Sequence, residues 1–182
     1  MKQTVRIIGG LYRGKKIPFL DSNGLRPTPD RVRETVFNWL MHDIRQARCL
    51  DAFAGSGAMG FEALSRGASA VTLIEKSPAV ATHLNRIITE LKQPQIKVIH
   101  TDALEYIRNT KDTFDIIFLD PPFQSNLLTN CLNQLGQSTV LREQGLVYVE
   151  SASEIDAPQS TWKRLKHQKA GQVYYGLLRR IG

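Results

Sequence analysis

The chain has 182 residues, 42% hydrophobic and 23% charged. That suits one globular domain with a full core and argues against a disordered or fibrous chain. No apolar run approaches the ~20 residues a membrane span needs, and Met1–Arg6 lacks the apolar core of a secretory signal, so a cytoplasmic protein is expected. Cys49 and Cys131 fit no metal spacing and are too few for a disulfide framework. Buried free thiols are expected.

The net charge of +7 is unevenly placed. Residues 1–48 hold ten Lys/Arg and four Asp/Glu, residues 49–150 eight and eleven, and residues 151–182 six and two. An acidic centre between two basic ends is the footprint expected of a chain that meets a polyanion.

In chain order, Val5–Ile8 and Lys15–Phe19 flank Gly9, Gly10 and Gly14 and predict a β-hairpin. Thr28-Pro29 reads as the cap of a helix with an apolar stripe of Val32, Val36, Phe37, Leu40, Met41 and Ile44. Arg31 falls off this stripe and Arg33 at its edge. From residue 47 onward, strand and helix signals alternate, which predicts an α/β fold with a mostly parallel sheet and helices on both faces. Strands are expected at 47–53, 70–75, 97–100, 114–119 and 146–150, with helices at 58–66, 78–91, after Asp102, and at 127–135. Two late β segments, near Trp162–Lys166 and Val173–Leu178, form an antiparallel finish with Gly171 at the turn. The division is therefore an N-terminal hairpin and helix over 1–46 and a catalytic domain over 47–182.

Gly55-Ser56-Gly57-Ala58-Met59-Gly60 matches G-x-G-x-x-G, with Glu75 eighteen residues after Gly57. By spacing alone this satisfies a dinucleotide fingerprint. Asp51, four residues before Gly55, argues otherwise. Its charge would repel a pyrophosphate, but it accepts hydrogen bonds from the ammonium of S-adenosylmethionine, directly or through water. The glycines then serve backbone approach beside Phe53. Glu75 is placed for ribose hydroxyls, and Asp102 with the Ala103 N–H for the adenine ring. Asp102 equally fits an ordinary helix N-cap.

Sixty-nine residues beyond Asp51 stands Asp120-Pro121-Pro122-Phe123. An exocyclic NH₂ on a nucleobase is a poor nucleophile because its lone pair is delocalised into the ring. Asp120 and a main-chain carbonyl, most simply that of Pro121, each accept one N–H and localise that lone pair. Pro121 and Pro122 hold the loop rigid, and Phe123 offers a face for the base. An Asp120 carboxylate of ordinary pKa need not act as base before transfer.

With Arg6–Gly10, Arg13-Gly14, Arg26–Thr28 and Asp30–Glu34 added to those two motifs, the chain resembles the bacterial 16S ribosomal RNA guanine-N2 methyltransferase family over essentially its whole length. The resemblance implies a Rossmann-like S-adenosylmethionine-dependent methyltransferase with a seven-stranded sheet and an N-terminal hairpin. It further implies N2-methylguanine as product and 16S rRNA within the small ribosomal subunit as partner, with ribosomal proteins as further contacts. The basic ends suit that partner, and Arg6, Arg13, Lys15, Lys16, Arg31 and Arg33 are the RNA-contact candidates. A monomer without a metal site is expected, and the four histidines read as structural or surface residues. The rivals are an amino-group methyltransferase acting on DNA adenine or protein glutamine, and a non-catalytic RNA-binding module. Trp162, Tyr174 and Tyr175 lie among basic residues, where core packing of the late hairpin competes with stacking on RNA.

Overall fold

The computed structural model describes residues 3–21, 26–123 and 125–181. Two strands, β1 (Gln3–Arg6) and β2 (Lys16–Phe19), pair antiparallel, and α1 (Asp30–Trp39) follows. Then come β3 (Arg48–Asp51), α2 (Ala58–Ser65), β4 (Ala70–Glu75), α3 (Pro78–Leu91), β5 (Ile96–His100), α4 (Ala103–Asn109), β6 (Phe114–Leu119), α5 (Leu127–Gly136), β7 (Leu141–Ser151), β8 (Trp162–Ala170) and β9 (Val173–Arg180). The seven strands β3–β9 form one sheet in the order β5-β4-β3-β6-β7-β9-β8. Pairings from β5 across to β7 are parallel, and β9 runs antiparallel to both β7 and β8.

The central strands are near-continuous apolar runs because helices cover both of their faces. One face packs against β1, β2, α1, α2 and α3 through Val36, Phe37, Leu40, Phe61, Leu84 and Phe118. The other packs against α4 and α5 through Ile107, Ile117, Cys131, Leu132, Leu135 and Val147. Both cysteines are buried and free. Ser77 caps α3 by accepting from Val80 N, with Pro78 in the first turn.

The N-terminal extension shares this core and is tied to α2 by a buried polar knot. Glu62, fully buried, accepts from Ile8 N and Gly9 N at 2.9 Å each, from Arg66 Nε at 2.8 Å and from Arg33 Nη1 at 3.3 Å. Gly10 sits at φ +81°, where an added Cβ would lie 1.9 Å from the Ser65 carbonyl oxygen. Only glycine lets the chain lie this close to α2.

Three expectations for the extension need correction. The strands are Gln3–Arg6 and Lys16–Phe19, because Gly9 and Gly10 dock on α2 instead of lying inside the hairpin. Thr28 is not a cap: Pro29 is the N-cap of α1 without a side-chain bond, and the Thr28 hydroxyl donates to Glu150. The helix ends at Trp39, so Leu40 and Ile44 are buried beyond it while Met41 is 61% exposed.

Candidate active site

Strand order reverses its direction of growth between β3 and β6, the point in an open parallel sheet where a crevice opens at the carboxyl edge. Asp51 pairs with Phe118 in the register, so the loops leaving β3 and β6 emerge side by side. The two sequence motifs, far apart in the chain, therefore share one edge.

On the cofactor half, the backbone turns through Gly55 at φ +52° and Gly57 at φ +79°. A Cβ on Gly57 would lie 2.5 Å from the Phe61 ring, so no side chain fits between this loop and α2. Asp51 is buried beneath the loop, accepts from Gly60 N at 3.1 Å and is also hydrogen-bonded to the Phe53 backbone. Burial nonetheless pushes its carboxyl up to about 7, with the charge of Glu75 adding to the rise. Asp51 thus holds the loop from below. Glu75, half-buried, accepts from Gly55 N at 2.9 Å and Ser77 N at 2.8 Å. Phe53 and Gly55 are half-buried on the same loop. Asp102 is the N-cap of α4, its Oδ1 accepting from Leu104 N and Glu105 N while Oδ2 lies 3.7 Å from Lys76 Nζ. Ala103 is buried in the first turn. Neighbouring carboxyls at Asp51 and Glu75 fit a cationic nucleoside such as S-adenosylmethionine and oppose a pyrophosphate.

On the acceptor half, Asp120 follows β6, Pro121 is buried, and Pro122 and Phe123 are exposed, Phe123 at 46%. Pro122 O accepts from Ser125 Oγ at 2.7 Å. Asp120 does not keep an ordinary pKa, contrary to expectation. Burial first, then the facing Glu150, then Asp51 hold its carboxyl well above the usual range. Glu150 accepts from Tyr148 OH at 2.6 Å and Thr28 Oγ1 at 2.9 Å. Burial and these carboxyls also push the Tyr148 phenol well up. Sequence patterns do not single out Glu150, Tyr148 or Thr28 as site residues. The one available signal is a lone Glu closing the apolar run Leu146–Val149 at the edge where the motifs converge.

Among the RNA-contact candidates, Arg13, Lys15, Lys16 and Arg31 are exposed, and Arg6 is exposed while paired with Asp30 at 3.3 Å. Arg33 is not a surface residue. It is 1% exposed and bonds Glu62, Asp30 and the carbonyls of Thr28 and Arg6, because the stripe edge it occupies faces α2. Trp162 and Tyr175 are core residues, the latter stacked on Trp39 at 5.5 Å. Tyr174 is half-buried beside His167, with Lys169 Nζ 4.8 Å from its ring centre. A cleft of about 460 Å³ at the opposite, amino edge of the sheet includes Asp115 and Arg142, paired at 2.7 Å, and none of the carboxyls above.

Comparison with known proteins matches this architecture. The model of the family described as conserved hypothetical protein 95 matches residues 5–179. A protein of Haemophilus influenzae named ribosomal RNA small subunit methyltransferase D is 46% identical over 97% of this chain and 94% of its own. Its Escherichia coli K12 namesake is 46% identical over 97% and 90%. A solved structure of a putative methyltransferase from Escherichia coli superposes with a TM-score of 0.90 at 44% identity, covering 99% of both chains. A putative methyltransferase complexed with S-adenosylhomocysteine shares the fold, with a TM-score of 0.67 at 16% identity over 90% of this chain and 53% of that one. The chain belongs to the conserved hypothetical protein 95 family and is a methyltransferase of the Rossmann-like, S-adenosylmethionine-dependent class.

Proposed function

We propose that the protein methylates the exocyclic N2 of a guanine in 16S rRNA of the small ribosomal subunit. The observation that carries this reading is the meeting of Asp120-Pro121-Pro122-Phe123 with the Asp51–Gly60 loop at one sheet edge. Two relatives at 46% identity bear the name ribosomal RNA small subunit methyltransferase D, which supports the substrate class.

S-adenosylmethionine supplies an electrophilic methyl group when bound. Asp51 and Glu75 hold the glycine loop in shape, and Glu75, Asp102 and the Ala103 N–H recognise the nucleoside. The target base leaves its stack and lies on Phe123. Asp120 and the Pro121 carbonyl each accept one amine N–H, which localises the nitrogen lone pair. Pro121 and Pro122 keep these acceptors in place before the base arrives.

The RNA surface combines residues 1–46, through Arg6, Arg13, Lys15, Lys16 and Arg31, with the β8–β9 hairpin. Lys163, Lys166 and Lys169 on the free edge of β8 have no ion pair among the described residues. The register aligns Glu150 and Ser151 with Tyr175 and Tyr174, and Tyr174 with Lys169, so this basic hairpin ends at the same edge as Asp120. Phosphates flanking the flipped base would meet it there. Residues 47–182 carry the catalytic machinery, with Thr28 reaching in from the extension.

The test incubates the protein and labelled S-adenosylmethionine with small subunits from cells lacking this gene, followed by chromatography of the digested RNA. Label in N2-methylguanosine is the expected result. Label only in DNA or protein offered in parallel overturns the substrate, and donor binding with no transfer to any of them overturns the catalytic reading.

A further inference from the structure

Glu150 closes β7 where β7 lies beside β6. The register Leu119↔Val149 makes Asp120 and Glu150 the next residues out on neighbouring strands. Alternation along the strands puts both on the face of Phe118 and Tyr148, whose rings are 6.2 Å apart. Glu150 is only 5% exposed, yet the groups around it are hydroxyls and another carboxyl. Thr28 and Tyr148 both donate to Oε1 and fix the carboxyl's orientation. Around Asp120 stand Glu150 on β7, Asp51 at the end of β3 and Thr28 from the loop before α1. Behind Glu150 stand Tyr148 on its own strand and Tyr175 on β9. Among the described residues neither Asp120 nor Glu150 has an ion pair with a cation. Two carboxyls side by side on neighbouring strands, Glu150 buried and Asp120 half-buried, do not both stay ionised without one.

We propose that Glu150 is a positioning residue for the transfer: it shares one proton with Asp120, and the pair then takes the proton that the methylated amine sheds. The inference rests on the reading of Asp120 as the amine acceptor. With one proton between them, the pair retains one negative charge, and an Asp120 oxygen remains free to accept the amine N–H. Bound S-adenosylmethionine supplies the methyl, its S–C bond breaking with the electron pair returning to sulfur as the nitrogen lone pair forms the N–C bond. The nitrogen is left with a proton it no longer holds, which passes to Asp120. The pair is then neutral with two protons, and one returns to water when the site opens. A lone exposed Asp near pH 4 takes such a proton weakly, whereas burial strengthens the pair's hold on it.

The test is Glu150→Gln, which keeps an oxygen for Thr28 and Tyr148 and removes the charge. The Glu150 charge opposes only the loss of the pair's last proton, so without it that upper step disappears. In carbon-13 titration, Asp120 of the variant should titrate in one step, at lower pH than the upper step of the parental pair. Plateau kcat should fall about tenfold, less than the ~10²-fold of losing a general base outright because Glu150 acts through Asp120, with donor affinity unchanged. An Asp120 titration identical to the parental one overturns the inference, whatever kcat does. Carbon-13 NMR titration of the parental protein's carboxyls gives an answer independent of that variant's folding. One carboxyl of the pair should titrate above the ordinary range, and two titrating below about pH 5 overturn the proposal. Asp120→Asn separates the layers. If it transfers methyl at the parental rate, the underlying reading fails; if it is dead while Glu150→Gln leaves the Asp120 titration unmoved, only the inference fails.

Discussion

The two halves of the crevice use carboxylates in opposite ways. On the cofactor half, Asp51, Glu75 and Asp102 each accept hydrogen bonds from backbone N–H groups, Glu75 from the glycine loop and Ser77, Asp51 from α2 and Asp102 from the first turn of α4. Their first effect is to shape backbone. On the acceptor half, Asp120 and Glu150 stand side by side on neighbouring strands, and the donors to Glu150 are hydroxyls. Charge count alone therefore says little about a site until the partners are known. A carboxylate bonded to backbone amides organises a binding loop, whereas one set against a second carboxyl holds a proton.

The most severe challenge to this contrast is Asp120→Asn. It should lower kcat about 10²- to 10⁴-fold while leaving donor affinity intact, as read by single-turnover methylation and calorimetry. A matching loss of donor affinity would merge the halves into one. Glu62 extends the contrast to a carboxylate neutralised by cations. Arg33→Met should cost about 3 kcal/mol of stability, since a buried pair loses one partner, measured as a lowered denaturation midpoint. Glu75→Gln turns an amide NH₂ toward a backbone N–H, a mismatch of ~1–3 kcal/mol. Donor affinity should drop about tenfold or more, without moving the acid limb of the rate.

Lys163, Lys166 and Lys169 changed together to Gln should raise KM for the ribosomal substrate with kcat unchanged. The salt dependence of binding should flatten by up to ~0.7–0.9 for each phosphate no longer neutralised. The smallest effect concerns Asp51, whose carboxyl lies near 7 in the fold, above its usual range. A raised carboxyl favours the folded state while protonated, and that contribution is lost as pH climbs through the folded value. Asp51→Asn should therefore gain on the parent in melting temperature as pH rises from about 4, the ordinary carboxylate value, to about 7, the raised one, and hold that gain above it. A constant difference would mean that the carboxyl stays ionised.

The strands and helices of residues 70–119 are legible in the sequence because apolar runs, Ser77-Pro78 and Asp102 are local signals, and the structure places β4, α3 and β6 at the expected bounds. The extension is less legible. Arg31 and Arg33 are both RNA-contact candidates in the sequence, the first off the apolar stripe and the second at its edge, but two residues are roughly 200° around a helix, which puts Arg33 against Glu62 and Arg31 in water. Thr28 before Pro29 has the pattern of a cap, yet a carboxylate 122 residues away takes its hydroxyl.

What the amino-acid order settles unaided is the alternation of strand and helix, the two loops and their chemistry, since periodicity, glycine and proline act over a few residues. Folding in three dimensions settles which charges face water, which face each other and how strongly each holds a proton. Those properties depend on strand register and burial, and Asp120 beside Glu150 exists only once β6 and β7 have paired.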